Sequence, residues 1–553
     1  MRIETCDVLV LGGGVAAQRA AVAAAQAGQK VTMIIKGGGT CSAGLVGYNV
    51  AFRNAPSGDS PAKYFDDLMS GGGFLNNPRL LAVMAYESES TAYELEQLGV
   101  PFDKDNGHFA VRQAAGSKYP RTIHYGDQIG PVAMEKLLAR FDELGGKTVR
   151  RTGGIALIKD GEKVIGALAI DYAKEELIAY LAKATVLATG GLGYLYGFST
   201  NPPGIVGDGM IMAYEAGATL MDMEFVQFEP FIFVWPENIA TFSVPTTLVW
   251  DGARITNRLG EEFLPKDPSG KVKPLTKDVL SRYLYFEVRE GRGSDHGGVF
   301  FDASVLPASI LENYPRFMHR CRISGINPAK DAMEVAPAAH HMMGGVVIDE
   351  NCFTGIPGLF AAGEVAAGVH GATRLAGAAG TDVLVFGKRA GVAAAAYAAG
   401  QALPQASEGR IQESASPILA LLDASAPDTA AGRAQALKDL KTILWDKVGI
   451  VREAEGLTAA LEEINSLSKQ VSAFKARTVS ELAELLEVRN SLLLARMIAT
   501  SALMREESRG DHYRADFPER DDVKWLKNIL VVKPDTRPVE PPVNRAEVVR
   551  MGE

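Results

Sequence analysis

The sequence predicts an α/β fold that opens with a strand, a glycine-rich turn and a helix. The apolar run Val8 to Leu11 has the continuous hydrophobic character of a buried parallel strand. Gly12, Gly14 and Ala17 follow in the G-x-G-x-x-G/A spacing, and an alanine-rich helical stretch begins there. A second apolar run, VTMII from Val31 to Ile35, predicts the next strand. This order is typical of a Rossmann-like unit.

The glycine-rich turn predicts a dinucleotide-binding site. The first glycine permits the tight turn, the second lets the backbone approach a pyrophosphate, and a small third residue lets helix pack on strand. The helix N-terminus adds free N–H groups and the positive end of a dipole. An ordinary strand–loop–helix junction is the alternative. In NAD-type folds an acidic residue ends the second strand. Here Ile35-Lys36 stands at that position, so the ribose must be held in another way.

Composition limits the classes of protein and of partner. A chain of 553 residues predicts two or three domains. The net charge of −9 and the lack of a basic run disfavour a nucleic-acid partner. No apolar stretch reaches the roughly 18 residues of a membrane span, and no signal peptide precedes the first strand. We therefore expect a cytoplasmic chain without direct membrane insertion, which could reach a membrane only through partner subunits.

The four cysteines, Cys6, Cys41, Cys321 and Cys352, lack C-x-x-C spacing. This pattern predicts free, mostly buried thiols and neither a zinc site nor an iron–sulfur cluster within the chain.

Further along the chain, helical spacing predicts helices over 79–99 and 131–144. The strand ATVLATGG (184–191) ends in glycines as the first strand does, and GLFAAGE (358–364) repeats the pattern a third time. A turn leads into a helix within 204–218. These junctions predict that the chain returns twice to the same ligand.

Changes in composition predict the domain organisation. Residues 224–335 are richer in aromatic, proline and charged residues, whereas 410–508 are helix-prone and 534–542 are proline-rich. We predict a discontinuous nucleotide-binding domain at 1–223 and 336–402 and an inserted α+β capping domain at 224–335. A helical domain with an extended tail would follow at 403–553.

Three segments carry a resemblance to a known family: PAAHHMMGGV (337–346), GLFAAGEVAAGVHGATRLAG (358–377) and ESRGDHYRADFPERDD (507–522). Together, and over nearly the whole chain, the sequence resembles the flavoprotein subunits of fumarate reductase and succinate dehydrogenase and their relative L-aspartate oxidase. The resemblance implies FAD as the cofactor, a Rossmann-like FAD-binding domain, a capping domain and a C-terminal helical domain.

The resemblance also implies which residues contact FAD. They are Gly12, Gly13, Gly14, Val15, Ala16, Ala17, Lys36, Gly37, Ser42, Ala43, Gly44, Thr189, Gly190, Asp208, His341, Gly363, Glu364, Arg374 and Gly377. Of these, Gly12, Gly14 and Ala17 would cradle the pyrophosphate, and Lys36 would lie near the adenosine. The carboxylates of Asp208 and Glu364 would accept hydrogen bonds from ribose or ribityl hydroxyls. For Asp208 the alternative is a cap on the helix that follows.

The sequence departs from the family's pattern at the position that decides how FAD is attached. Family members that bind FAD covalently do so through a histidine after the second strand, whereas KGGGTCSAGLVGYN (36–49) has none. We therefore predict non-covalent FAD, with a thioether to Cys41 as the alternative.

At the substrate end, His340 and Arg374 match the family's substrate-binding residues. A guanidinium grips a carboxylate bidentately, and a histidine adds a donor. The alternatives are a satisfied core histidine and a structural ion pair. His341 and His370 are neighbouring candidates, and His370 would face the flavin.

Three departures change the substrate end. EPFI (229–232) replaces the family's H-P-T-G, and TTLVWDGARITN (246–257) replaces T-E-x-x-R-G-E. Lys277 stands where the family has its proton-donating arginine. Burial beside Arg374 could lower the pKa of Lys277 and make it a proton donor, with a solvated lysine at a helix start as the alternative. Glu229 would repel the second carboxylate of fumarate or succinate, so the far end of the substrate should be neutral or cationic.

These residues support an FAD-dependent oxidoreductase that transfers hydride between FAD and a carboxylate-bearing small molecule, by C=C reduction or CH–CH oxidation. An iron–sulfur protein would be its electron partner. One alternative is an adenylylsulfate reductase-like alpha subunit, in which Trp235 and Trp250 would stack on a base. The loop SAGLVGYN with its Asn49 looks somewhat like that of this class. The other alternative is an electron-transfer flavoprotein subunit without a small-molecule substrate of its own.

Overall fold

The computed structural model describes residues 1–40, 44–273, 275–405, 408–534 and 546–550. The strands are β1 (Arg2–Leu11), β2 (Val31–Ile35), β3 (Tyr48–Asn49), β4 (Lys104–Asp105), β5 (His108–Phe109), β6 (Val111–Arg112), β7 (Thr122–Ile123), β8 (Lys147–Arg150), β9 (Thr152–Asp160), β10 (Lys163–Asp171), β11 (Glu176–Leu187), β12 (Leu220–Met221), β13 (Val226–Trp235), β14 (Arg254–Thr256), β15 (Val299–Asp302), β16 (Met333–Met342), β17 (Gly345–Val346), β18 (Leu359–Ala361), β19 (Asn528–Val532) and β20 (Ala546–Arg550). The helices are α1 (Val15–Gln26), α2 (Pro61–Gly71), α3 (Pro78–Gln97), α4 (Ile129–Glu143), α5 (Asp208–Glu215), α6 (Leu248–Asp251), α7 (Lys277–Arg289), α8 (Ala308–Leu311), α9 (Pro315–Ile323), α10 (Ala378–Ala399), α11 (Glu408–Leu419), α12 (Ala430–Lys447), α13 (Ala454–Ser472) and α14 (Val479–Met504).

A central sheet in the order β8-β2-β1-β11-β10-β9 forms the base of the fold, and β18 joins it by pairing with β11. β1, β2, β8, β11 and β18 run parallel, while β10 and β9 are antiparallel additions. Val8, Leu9 and Val10 are fully buried, as the continuous apolar run predicts. The predicted strand Val31–Ile35 is confirmed, and β1 begins six residues earlier than the apolar run, at Arg2.

Three strands end at the same edge of this sheet. Leu11 is in register with Leu187, which is in register with Ala361. A glycine turn follows each strand, and Gly12, Gly190 and Gly363 all have positive φ angles. The three strand–glycine junctions of the sequence therefore meet at one place, which is where a doubly wound sheet binds its ligand.

Helix α1 packs on α10 through glycines. A Cβ atom on Gly391 would lie 2.2 Å from the carbonyl oxygen of Ala20, and one on Gly387 would lie 2.8 Å from that of Ala16. The two helices therefore touch backbone to backbone, and this contact fixes the N-terminus of α1 beside the glycine turn.

A second hydrophobic core is drawn from residues 231–335 and packs on the sheet β13-β16-β15-β14. The sequence predicts an inserted capping domain at 224–335, and β13 and β16 connect this lobe to the nucleotide-binding part. Helices α12 to α14, by contrast, contribute to the main core.

The C-terminal region is not helical throughout. β19 pairs with β12 and β20 pairs with β19 in a four-stranded sheet. The buried apolar run of β19, NILVV, forms this strand because β12 offers it a partner more than 300 residues earlier in the chain. Most of the predicted extended segment 534–542 lies outside the described residues.

Cys6, Cys321 and Cys352 are free and buried, as predicted, while Cys41 lies outside the described residues. Among the helices of the described ranges, none combines the length and the apolar character that crossing a bilayer requires.

We predict that Gly391→Ala destabilises the protein although alanine favours helix, because the new methyl group would overlap the backbone of Ala20. Overpacking of this kind costs about 1–3 kcal/mol. The measurement is the free energy of unfolding in urea. Gly400→Ala at the end of α10 is the control, because its Cβ would meet only the oxygen of Tyr397 at 3.7 Å. A Gly391→Ala protein as stable as the parent would contradict the tight α1–α10 contact.

Candidate active site

A cavity of about 780 Å³ lies between the glycine edge of the sheet and the capping lobe. Its wall brings together eight residues that the sequence predicts for the site, namely Gly44, Glu229, Lys277, His340, His341, Glu364, Arg374 and Gly377. The remaining predicted cofactor residues lie along the glycine edge, except that Ser42 and Ala43 fall outside the described residues.

Glu229 is positioned by an irregularity in β13. The pairing of β13 with β16 shifts between Glu229 and Ile232, because Pro230 cannot donate a backbone hydrogen bond. The Glu229 carboxylate accepts a hydrogen bond from Thr246 Oγ1 at 2.8 Å and forms a close ion pair with Lys277 Nζ. Burial alone would raise the pKa of Glu229, but the charge of Lys277 outweighs it and lowers this pKa to about 2. Glu229 therefore carries its charge at physiological pH.

Lys277 is the first residue of α7, and its side chain is only 11% exposed. The alternative of a solvated lysine is therefore wrong. Burial lowers the pKa of Lys277, Arg374 lowers it further, and the charge of Glu229 opposes both. The charge of Glu229 thus opposes the loss of the Lys277 proton that burial and Arg374 favour.

His340 lies in a bulge of β16. Gln227 pairs with His341 and Phe228 pairs with Ala339, which leaves His340 without a partner in the ladder. Its Nδ1 lies 2.8 Å from Thr200 Oγ1, and its Nε2 lies 3.5 Å from the Glu229 carboxylate. Burial lowers the pKa of His340 to about 3, so its ring is neutral.

Arg374 comes from the loop between β18 and α10 and is buried. The guanidinium makes a single hydrogen bond among the described residues, a long one at 3.4 Å from a terminal nitrogen to the carbonyl of Leu375, and Nε has no partner. No carboxylate of the described residues lies within 4.0 Å of this guanidinium, so Arg374 is not part of a structural ion pair. A buried charge without a partner is costly, and an anionic ligand would satisfy it.

Backbone lines the glycine edge of the sheet. A Cβ on Gly12 would lie 2.1 Å from the carbonyl oxygen of Ala188, and one on Gly39 would lie 3.1 Å from the Cα of Gly14. Gly14 is the N-cap of α1 and provides no capping side chain, so the first N–H groups of the helix lack a side-chain acceptor. Val15, Ala16 and Ala17 are buried, and a Cβ on Gly363 would lie 2.9 Å from that of Ala16.

Polar groups flank this edge. Lys36 Nζ lies 2.7 Å from the Asp208 carboxylate and 3.5 Å from Glu487. Asp208 is the first residue of α5, after its N-cap Gly207, and its bond to Lys36 shows that it is not the cap. Thr189 Oγ1 is buried without a hydrogen-bond partner, whereas a Cβ on Gly37 would meet nothing within 4 Å.

Glu364 joins the edge to the cavity. It accepts a hydrogen bond from the backbone N–H of Met342 at 2.9 Å and lies 3.7 Å from His341 Nδ1. Burial raises the pKa of Glu364 to about 7. His341 stacks edge-on against His370 at 5.2 Å, and His370 Nε2 lies 3.4 Å from Asp382.

These residues fit FAD. Buried polar atoms without a partner, Thr189 Oγ1, His341 Nε2 and Arg374 Nε, surround a groove in which side chains would collide with backbone. Hydroxyl, phosphate and carbonyl groups of a dinucleotide offer the partners that such atoms require. Within the described residues, no three His, Cys, Asp or Glu side chains are arranged to hold a metal ion.

Sequence reasoning missed several residues of the site. The individual roles of Thr200, Thr246, Gln227 and Asp511 follow from contacts across the fold: Gln227 Nε2 donates to the carbonyl of Arg374 and to the Asp511 carboxylate, both at 3.0 Å. In the sequence, Thr246 is distinguished only as part of a segment that departs from the family. The cavity also reaches Arg112, Arg316 and Arg320, which belong to no motif of the sequence.

Comparisons with known proteins agree with this geometry. A family model described as an FAD binding domain matches residues 7–379, and one described as the fumarate reductase flavoprotein C-term matches residues 437–550. A fumarate reductase (CoM/CoB) chain of Methanothermobacter marburgensis is 37% identical over 545 residues, which cover 95% of this chain and 97% of that protein. L-aspartate oxidase of Caulobacter vibrioides is 34% identical and covers 94% and 95%.

A solved E. coli quinol fumarate reductase chain superposes with a TM-score of 0.87 at 28% identity, covering 96% of this chain and 94% of that one. Adenylylsulfate reductase from Archaeoglobus fulgidus, at a TM-score of 0.76 and 21% identity with coverage of 96% and 94%, shares the fold. The chain belongs to the fumarate reductase/succinate dehydrogenase flavoprotein family and is an FAD-dependent oxidoreductase.

Proposed function

We propose that the enzyme reduces an activated C=C bond next to a carboxylate, or catalyses the reverse oxidation, and that plain fumarate and succinate are not its preferred substrates. The observation that carries this proposal is the buried guanidinium of Arg374, which has no acidic partner among the described residues and lines the same cavity as the Lys277–Glu229 pair. When bound, FAD would supply a flavin nitrogen that gives or accepts the hydride.

Arg374 would bind the substrate carboxylate through two N–H groups, because no carboxylate of the described residues occupies its guanidinium. The neutral ring of His340 would donate a hydrogen bond to the same carboxylate, while its Nδ1 contact with Thr200 holds the ring orientation. Fixing one end of the substrate in this way places the reacting carbons in a defined position.

Lys277 would hold the proton that completes C=C reduction. Its Nζ delivers this proton to one carbon of the double bond and regains a proton from water afterwards. The negative charge of Glu229 keeps Nζ protonated between turnovers, and the Thr246 hydroxyl keeps the Glu229 carboxylate in place.

The same pair bears on substrate choice. The charge of Glu229 is already balanced by Lys277, so the pair provides no spare cation for the second carboxylate of a four-carbon diacid. We therefore expect the substrate group beside Glu229 to be uncharged or cationic.

We also propose that the chain is the flavoprotein subunit of an electron-transfer complex with an iron–sulfur protein as its partner. Support comes from relatives whose names describe them as subunits, including the fumarate reductase flavoprotein subunit of Mycobacterium tuberculosis, which is 33% identical.

The two alternatives fit the geometry less well. A base-stacking site made by both tryptophans is not assembled, because Trp250 lines the cavity whereas Trp235 is 43% exposed and stacks on His296 at 4.2 Å. A flavoprotein without a small-molecule substrate would need Arg374 only for FAD and would leave the buried Lys277–Glu229 pair in the same cavity without a role.

Lys277→Met tests the proton donor. We expect kcat for reduction of unsaturated acids by a reduced dye to fall by about 10²–10⁴-fold, the usual contribution of a general acid, while FAD stays bound. Lys277→Arg should recover part of the rate. Lys271→Met, at an exposed lysine of the same lobe, is the control. Full activity in Lys277→Met would remove Lys277 from the mechanism, and no turnover of any acid by the parent enzyme would refute the proposed function.

Glu229→Gln tests the coupling of the pair through the pH dependence. Loss of this negative charge lowers the pKa of Lys277 further, so its proton is lost at lower pH. The alkaline limb of the kcat/KM profile should move toward neutrality by about one pH unit or more. An unchanged alkaline limb would show that another group sets it.

Non-covalent FAD is tested by acid precipitation of the purified holoenzyme. We expect all of the flavin in the supernatant, because residues 36–49 contain no histidine to attach it. A yellow pellet that turns colourless in Cys41→Ala would instead establish the thioether.

A further inference from the structure

Three arginines line the outer end of the cavity, the part of its wall that is less deeply buried than Arg374. Arg112 belongs to β6, and Arg316 and Arg320 belong to α9. We propose that this outer end is a second anion-binding subsite, so that the substrate is an α,β-unsaturated acid with a distal anionic group. The distal group would lie farther away than the second carboxylate of a four-carbon diacid. This inference rests on the proposed function.

Two of the three arginines, Arg320 and Arg112, lie over aromatic rings. The guanidinium of Arg320 lies 3.6 Å from the centre of the Phe242 ring, and that of Arg112 lies 5.3 Å from the centre of the Tyr314 ring. Among the described residues, no carboxylate lies within 4.0 Å of the guanidinium of Arg112 or Arg320. Arg112 also donates from one terminal nitrogen to the carbonyl of Gly126 at 3.3 Å. Stacking on a ring fixes a guanidinium and leaves its other N–H groups available for an anion.

The acids near this end do not neutralise it. Asp127 lines the cavity, but its carboxylate accepts the backbone N–H groups of Arg316 at 3.1 Å and Phe317 at 3.0 Å. Asp103 accepts from Gly126 and contacts His124, both at 2.7 Å. Asp251 does not line the cavity, and partial burial raises its pKa although the charge of Arg112 opposes this.

Burial and a neighbouring charge both act on the pKa of Arg320. Burial lowers the pKa of Arg320, and the charge of Arg316 lowers it further. In the cavity wall itself these three arginines stand beside one carboxylate, that of Asp127, and an anion bound there would offset the repulsion between Arg316 and Arg320.

The two ends of the cavity are therefore alike in charge and differ in depth. Arg374 lies at the inner end without an acid among the described residues, and the Lys277–Glu229 pair next to it is balanced. The aromatic rings of Phe242, Trp250 and Tyr314 belong to the same wall. An elongated molecule with an anion at each end and an uncharged middle matches this arrangement of charged and aromatic groups.

The test uses the full-length, FAD-loaded enzyme and two separate readouts. Binding is measured from the change in flavin absorbance, and turnover from oxidation of a reduced dye. The ligands are fumarate, trans-2-hexenedioate and trans-2-octenedioate, the monoanions trans-2-hexenoate and trans-2-octenoate, and a 2-alkenoate of matching length with a terminal sulfonate. We expect at least one longer dianion to bind about ten-fold or more tightly than the monoanion of equal length, since one tenfold step corresponds to a single charge-assisted contact.

Arg320→Gln and, separately, Arg112→Gln should reduce this preference to about two-fold or less without weakening the monoanions. Arg322→Gln is the matched control, because Arg322 lies on the same helix, is exposed and does not line the cavity. Retained flavin absorbance shows that each variant is folded. If a terminal sulfonate replaces the distal carboxylate without loss of affinity, the subsite accepts several kinds of anion. If only the carboxylate gives the higher affinity, the subsite is specific for carboxylates. Both results support the subsite.

The proposal is overturned if dianions show no preference at any length, or if the preference persists in both arginine variants. It fails separately from the proposed function: long dianions that bind through Arg320 without being reduced would refute the reaction and keep the subsite. Reduction of short monoanions would support the reaction. If Arg320→Gln then left the binding of dianions unchanged, the subsite would be refuted and the reaction kept.

Discussion

The backbone-to-backbone contact at the carboxyl edge of the central sheet is the constraint on which the rest of the site depends. Gly12 touches the backbone of Ala188, and α1 touches α10 at Gly387 and Gly391. Because no side chain separates these elements, three strands end and helix α1 begins within reach of the same ligand. The loop after β18 then carries Glu364 toward the cofactor groove and Arg374 toward the cavity, so one sheet edge organises both binding functions.

The three departures from the family at the substrate end are one coupled change. Glu229, Thr246 and Lys277 come from a strand, a loop and a helix start, yet all three meet at the Glu229 carboxylate. A buried carboxylate introduced alone would lack a partner and would be costly. The lysine supplies the opposite charge and the threonine supplies a donor. The altered substrate end is therefore a self-consistent polar network rather than a degraded version of the family's site.

Much of the fold follows from local signals in the sequence. The apolar run of β2 and the strand–glycine junctions at Gly12, Gly190 and Gly363 are local features, and the structure has them where the sequence predicts them. The Lys277–Glu229 pair is different, because it joins residues 48 positions apart and depends on how α7 docks on β13. Because this pair is not visible in the sequence, the expectation that Glu229 repels a substrate carboxylate treats the glutamate as unpaired. In the structure its charge is balanced by Lys277. Likewise, the bulge that turns His340 out of its ladder depends on the register between β13 and β16, which no local periodicity reveals.

The C-terminal motif ESRGDHYRADFPERDD gains a physical meaning from its contacts. Arg505 and Arg509 both bind Glu507, and Arg505 also binds Glu224, at the start of the segment that leads into β13. The backbone N–H of Asp511 donates to the carbonyl of Ala372 at 3.0 Å, and its carboxylate receives Gln227, which also holds the carbonyl of Arg374. The motif thus holds the Arg374 loop directly at Ala372 and, through Gln227, at Arg374. An unpaired buried guanidinium is tolerable only if its backbone cannot relax toward solvent, and this network, drawn from the far end of the chain, provides that restraint.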